Sequence, residues 1–132
     1  MSRVLVLGGT GLLGHMLVKV LGQEPILRVE GTQRRDPADP LYLDVERDTG
    51  ALATLLRRGA YAYVINAIGV TSGAIDECDP RSVRRAILVN AAFPYQLAEA
   101  AAEHSARVIH ISTDAVFSGL GGPYQEDAPR DC

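Results

Sequence analysis

The sequence predicts an α/β fold, a parallel sheet with helices on both faces, on three observations. Short apolar runs alternate with stretches of helical periodicity along the 132 residues. The first run, Val4 to Leu7, is apolar at every position, as a strand buried on both faces requires. That run stops at Gly8-Gly9-Thr10-Gly11-Leu12-Leu13-Gly14 and restarts as a helix, a strand-turn-helix unit with three evenly spaced glycines.

Residues 3–7 make the first strand. The helix over 11–21 carries Leu12, Leu13, Leu17, Val20 and Leu21 at helical spacing, and Gly22 stops it. Ile26 to Gly31 is the second strand, followed by Thr32-Gln33-Arg34-Arg35 and the turn-rich Asp36-Pro37-Ala38-Asp39-Pro40. Leu41 to Asp44 is a short third strand. Asp48 or Thr49 can cap a helix that presents Leu52, Leu55 and Leu56 on one face and ends at Gly59. Tyr61 to Asn66 is the fourth strand. Asp79 and Pro80 open a long helix, as N-cap and first helical residue. It runs to about Ala102 and bends at Pro94, which lacks the N–H a helix needs. Arg107 to Ser112 is the fifth strand, and Gly119, Gly121, Gly122 and Pro123 mark a final loop. Right-handed crossovers then give a Rossmann-type sheet in the order 3-2-1-4-5, one domain over residues 1–132.

The composition is that of an ordinary folded chain, 47% hydrophobic and 22% charged. Thirteen basic against 16 acidic residues leave a net charge of −3, which attracts neither nucleic acid nor an anionic membrane. No apolar run approaches the length of a membrane span, and the first residues read as a strand rather than a signal peptide. Cys78 and Cys132 form neither a metal spacing nor a disulfide framework, so a reducing cytoplasm and no metal are expected.

In parallel sheets, ligands sit at the carboxyl ends of the strands. The polar and small residues of this chain collect there. After strand 1, Gly8 allows a tight turn, Gly11 a close approach to a pyrophosphate and Gly14 the packing of helix near sheet. Thr10, Leu12 and Leu13 complete the turn, with the helix N-terminus facing the phosphates. The alternative is a tight βα turn with no ligand. After strand 2, Arg34 and Arg35 stand where NAD-preferring domains carry an acid, and guanidinium forks suit a 2′-phosphate. NADP is therefore expected over NAD, unless the two arginines are only a solvated loop. Asp44, after strand 3, could accept from an adenine amino group or merely cap a turn. Asn66, Ala67 and Ile68, after strand 4, leave room for a ribose or nicotinamide, or form a plain βα turn. Asn90 falls among Val83, Ile87, Ala91 and Leu97 on the apolar stripe of the long helix, where its amide must find partners in a site or a neighbouring loop. Ser112 and Thr113 end strand 5, where a hydroxyl can meet a substrate oxygen or serve only as a helix-cap or turn hydroxyl. His110, in an apolar strand, reads as a core residue, and Cys78 as an unreactive thiol.

With these residues in view, the chain resembles the extended short-chain dehydrogenase/reductase superfamily, and within it the dTDP-4-dehydrorhamnose reductase type. The likeness rests on Val6-Leu7-Gly8-Gly9-Thr10-Gly11-Leu12-Leu13-Gly14-His15, Gly31-Thr32-Gln33-Arg34-Arg35, Asn66-Ala67-Ile68-Gly69-Val70 and Val89-Asn90-Ala91-Ala92-Phe93-Pro94. Its most specific parts are Ile109-His110-Ile111-Ser112-Thr113-Asp114-Ala115-Val116-Phe117-Ser118-Gly119 and Gly122-Pro123-Tyr124-Gln125-Glu126-Asp127. The resemblance implies hydride transfer from NAD(P)H to the keto group of a nucleotide-linked sugar in carbohydrate biosynthesis, with Thr113 polarising the substrate oxygen. It also implies a tyrosine proton donor with a lysine four residues later. No tyrosine of this sequence has that lysine, and the sole lysine, Lys19, lies in the first helix. The chain is thus expected to be the cofactor-binding half of such a reductase, ending before its acid/base pair and inactive alone. Uncovered apolar surface near strands 4 and 5 would then favour self-association. A stand-alone nucleotide-binding or sensor module, and the first half of a sugar-nucleotide epimerase or dehydratase, are the alternatives.

Overall fold

The computed structural model describes residues 1–47 and 50–132. Four parallel strands form one sheet: β1 (Ser2–Leu7), β2 (Leu27–Gly31), β3 (Tyr63–Asn66) and β4 (Arg107–His110), in the order β2-β1-β3-β4. Helices α1 (Leu12–Leu21), α2 (Gly50–Gly59), α3 (Pro80–Ile87) and α4 (Phe93–Glu103) pack on the two faces. The register sets Leu7 beside Asn66, and Asn66 beside His110, so the carboxyl ends of the strands finish at one edge.

The alternation within β1 explains the layers. Leu5 and Leu7 point to the face covered by α2 and α4, where they meet Leu52, Leu56, Val64, Phe93 and Leu97. Val4 and Val6 point to the other face, where Ile65 joins them under Leu17, Val18 and Leu21 of α1. Each such side chain removed from water contributes roughly 1.5–3 kcal/mol. The α1 face is only partly covered: Ile109 of β4, in register with Ile65, is 44% exposed.

Three expectations need correction. The third strand is reduced to a single bridge between Gln33 and Tyr42, held by Gln33 N–H to Leu41 O and Leu43 N–H to Gln33 O. The reason lies in the flanking aspartates. Asp36 and Asp39 accept from Ala38 and Leu41 N–H, and Asp44 accepts from Glu46 N–H, so turns close on both sides of a segment too short for a ladder. The strand order is therefore 2-1-3-4 in a four-stranded sheet, the bridge lying beyond the end of β2.

The long helix is the second correction. It is α3 and α4 joined by a π-helical turn, Leu88–Ala92, just before Pro94. A proline ring collides with the carbonyl four residues back, and the wider turn accommodates it. The buried face of the helix also differs from the expected one. Ala86, Val89, Phe93, Leu97 and Ala101 are the buried stripe, whereas Ile87 is 59% exposed and Ala91 and Asn90 face outward. The third is His110, which is exposed because β4 is the sheet's edge strand.

Asp79 does cap α3, accepting from Arg81 N–H at 3.0 Å, with Pro80 in the first helical position. The cap expected at Asp48 or Thr49 lies outside the described residues.

Candidate functional site

A cleft of about 270 Å³ opens at the carboxyl edge of the sheet. One wall is backbone. Gly8 leaves β1 with φ +79°, a left-handed conformation that a side chain would strain. Its carbonyl accepts from Gly11 N–H at 2.9 Å. Gly14 rests on the same carbonyl so closely that a Cβ there would lie 2.1 Å from the oxygen. The first and last glycines of the triplet thus fit each other, which sharpens the expectation that Gly14 merely lets helix approach sheet. Gly11 is the N-cap of α1, and no side chain caps that end. With Gly8, Thr10 and Gly11 on the cleft wall, the free first-turn amides, those of Leu12 and Leu13 among them, stand beside it. Such a donor set suits a phosphate, so the residues present fit the pyrophosphate of a dinucleotide.

Thr32 ties this wall to the next. It is buried, and its Oγ1 accepts from Gly8 N–H at 3.0 Å. Beyond it, Gln33 folds the loop by accepting from the amides of Arg35 and Asp36 and donating to Asp36 O. Arg34 lines the cleft; Arg35 stands outside it, exposed. Glu46 and Arg85 also line it, and the Glu46 carboxylate accepts from Arg85 Nε at 2.9 Å and Arg34 Nη1 at 3.4 Å. Sequence reasoning missed Thr32, Glu46 and Arg85 as site residues. Only Thr32 had a local signal, a hydroxyl directly after β2.

The third wall is the segment after β3, Ala67 to Val70. Asn66 does not reach the cleft. Fully buried, it accepts from Ile68 N–H at 3.1 Å and holds its Nδ2 3.1 Å from His110 Nδ1. Because the Ile68 bond fixes which end of the amide is oxygen, Nδ2 donates and His110 Nδ1 accepts, which assigns the Nε2–H tautomer. Asn90 faces outward and clasps one residue: Val70 N–H donates to its Oδ1 and its Nδ2 donates to Val70 O, each at 2.8 Å. The amide therefore braces the neighbouring loop.

The other expected residues lie apart from the cleft. Asp44 holds a turn and pairs loosely with Arg47 at 3.8 Å. Thr113 is exposed. Its Oγ1 accepts from Ala115 N–H at 3.2 Å and donates to Asp114, capping a short 3₁₀ turn. Ser112 is exposed beside it. Cys78 is exposed and free, and the described residues contain no cluster able to hold a metal ion. Among the described residues, no helix is long and apolar enough to cross a membrane.

The strongest electrostatic perturbation is elsewhere. Glu30 accepts from the Tyr61 hydroxyl and from Arg3 at 2.9 Å. The Tyr61 hydrogen bond, then Arg3, hold its carboxyl below the usual range. Burial, then the Glu30 carboxylate, push Tyr61 up to about 12.

A glycine-turned β1–α1 unit, a parallel sheet and a cleft at its carboxyl edge define a Rossmann-like α/β protein of the extended short-chain dehydrogenase/reductase kind. The sequence profile of the RmlD substrate binding domain matches residues 1–131, and the chain belongs to that family. It is 39% identical to the spore coat polysaccharide biosynthesis protein SpsK of Bacillus subtilis, over 99% of this chain and 43% of that protein. It is 34% identical to a dTDP-4-dehydrorhamnose reductase of Streptomyces griseus, over 96% of this chain and 38% of that one. Among solved structures, a dTDP-4-dehydrorhamnose reductase of Clostridium acetobutylicum superposes with TM-score 0.77 at 28% identity, over 98% of this chain and 42% of that one. The Bacillus anthracis reductase, solved in complex with NADP, shares the fold with TM-score 0.74 at 23% identity, over 92% of this chain and 40% of its own. The chain thus spans about two fifths of the length of these relatives.

Proposed function

We propose that this chain supplies the cofactor-binding part of an NADP-dependent reductase of a nucleotide-linked 4-keto sugar, of the dTDP-4-dehydrorhamnose type, at work in cytoplasmic carbohydrate biosynthesis. One observation carries the reading. The cleft that begins at the uncapped glycine turn ends at the Arg34 guanidinium, so one continuous surface offers donors for a pyrophosphate and a fork for a 2′-phosphate. Membership of the RmlD family, and the relatives with that activity, favour the same substrate class.

When bound, NADPH supplies the hydride. The glycine turn and the amides of α1 would hold its phosphates. The segment from Ala67 to Val70 bounds the cleft on the far side. Thr113 donates its hydroxyl to the substrate keto oxygen, once that hydroxyl turns from Asp114. The tyrosine and lysine pair that the reaction type uses for its proton does not occur in this sequence, so the chain alone binds but does not turn over.

Titration with NADPH and NADH, followed by calorimetry, tests this. NADPH should bind more tightly, and Arg34→Ala should lower its affinity about tenfold, the size of one charged hydrogen bond. Equal affinity for the two cofactors would remove the NADP assignment, and binding of neither would remove the reductase reading altogether.

A further inference from the structure

The rim of the cleft holds a feature that the glycine turn and Arg34 do not explain. A single carboxylate oxygen, Glu46 Oε1, receives two guanidinium groups, Arg34 from the loop after β2 and Arg85 from α3. All three side chains line the cleft, and their side chains are 58%, 42% and 29% exposed for Arg34, Arg85 and Glu46. Each guanidinium commits only one nitrogen to Glu46. An arginine carries five N–H donors in a planar fork, so most of the donor capacity of both groups is left over.

We propose that Arg85 is a second 2′-phosphate-reading residue, paired with Arg34 on the same rim, and that Glu46 is the internal anion which the 2′-phosphate displaces. The proposal rests on the NADP reading and extends it to a residue from a third element. Two cations converge on one oxygen because Glu46 neutralises their repulsion. A phosphate near neutral pH brings up to two charges and three acceptor oxygens to the same place, against one charge from Glu46. Glu46 thus holds the pair in position while no ligand is bound and competes with the phosphate when one arrives. Arg35 has no such placement: its backbone amide is tied to Gln33 and its side chain stands off the cleft wall. The reading pair is Arg34 and Arg85, separated in sequence and joined by folding.

The probes are 2′,5′-ADP and 5′-AMP, which differ only in the 2′-phosphate and need nothing beyond the adenosine end of the cleft. Binding to the chain is measured by calorimetry at low salt, where exposed charges are least screened. Arg85→Ala should weaken 2′,5′-ADP about tenfold and leave 5′-AMP within about twofold. Glu46→Gln, which keeps the side-chain shape and removes the competing charge, should tighten 2′,5′-ADP about threefold or more and leave 5′-AMP unchanged. Arg85→Lys should recover only part of the loss, because an ammonium is a point charge rather than a fork. Thermal melts of each variant identify any that fail to fold, and Glu46→Gln then decides alone. If Arg85→Ala weakens both probes equally, or neither, or if Glu46→Gln weakens 2′,5′-ADP, the assignment is wrong while the NADP reading stands on Arg34. If the unmodified chain binds neither probe, both fall together.

Discussion

The two ends of the cleft are built from different material. The glycine end is backbone: a left-handed Gly8, a carbonyl shared by Gly11 and Gly14, and helix amides with no side-chain cap. The arginine end is side chains from separate segments, Arg34 and Glu46 from the stretch around the Tyr42 bridge and Arg85 from α3. The first end has one geometry because a Cβ would collide. The second has a geometry balanced by charge. On the proposed reading, the shape-built end would grip what every dinucleotide shares, and the charge-built end would distinguish one dinucleotide from another.

That contrast can be broken most forcefully at Gly14. Gly14→Ala places a Cβ where 2.1 Å separates it from Gly8 O, so α1 must move as a body. Overpacking of that kind costs about 3 kcal/mol or more. A lowered denaturation midpoint should accompany a loss of binding for NADPH and NADH alike. Wild-type stability in this variant would show that the two glycines do not fit each other as described.

A smaller effect is expected at the joint between the ends. Thr32→Val keeps the side-chain shape and removes the acceptor of Gly8 N–H. An orphaned buried donor costs about 1–3 kcal/mol, read as a shift in the urea midpoint. Both cofactors should weaken in parallel, because Gly8 belongs to the shared end; a selective loss of NADPH would move Thr32 to the other end.

The smallest change tests a cluster outside both ends. Tyr61 is raised to about 12, so the protonated hydroxyl is favoured by the fold. Its contribution is complete below the ordinary value of 10.0 and disappears as pH rises through about 12. Glu30 is lowered from 4.5, so its contribution is present above that value and is lost as pH falls through the lower folded value. Melting temperature should therefore hold steady to pH 10.0 and decline towards about 12, and Tyr61→Phe should flatten that decline. An unchanged alkaline slope in Tyr61→Phe would dissociate the cluster from stability.

The same division explains what could be read in advance. The glycine turn, the Asp79–Pro80 helix start and the burial of β1 on both faces are local, each decided within a few residues of chain, and each appears as expected. The third strand failed for a local reason too, since two Asp-Pro steps compete with the ladder. Asn90 was misplaced because the stripe was phased on Val83, Ile87 and Ala91, whereas the buried one runs through Ala86, Val89, Phe93, Leu97 and Ala101. Arg85 lies 39 residues from Glu46, and only the packing of α3 brings them together.

The clasp between Asn90 and Val70 has a thermodynamic consequence of its own. Both polar atoms of the amide are committed to one residue's backbone, so the segment after β3 has surrendered its freedom before any ligand arrives. Ordering a residue costs roughly 1–2 kcal/mol. That entropy is spent once, during folding, and association meets a wall already standing.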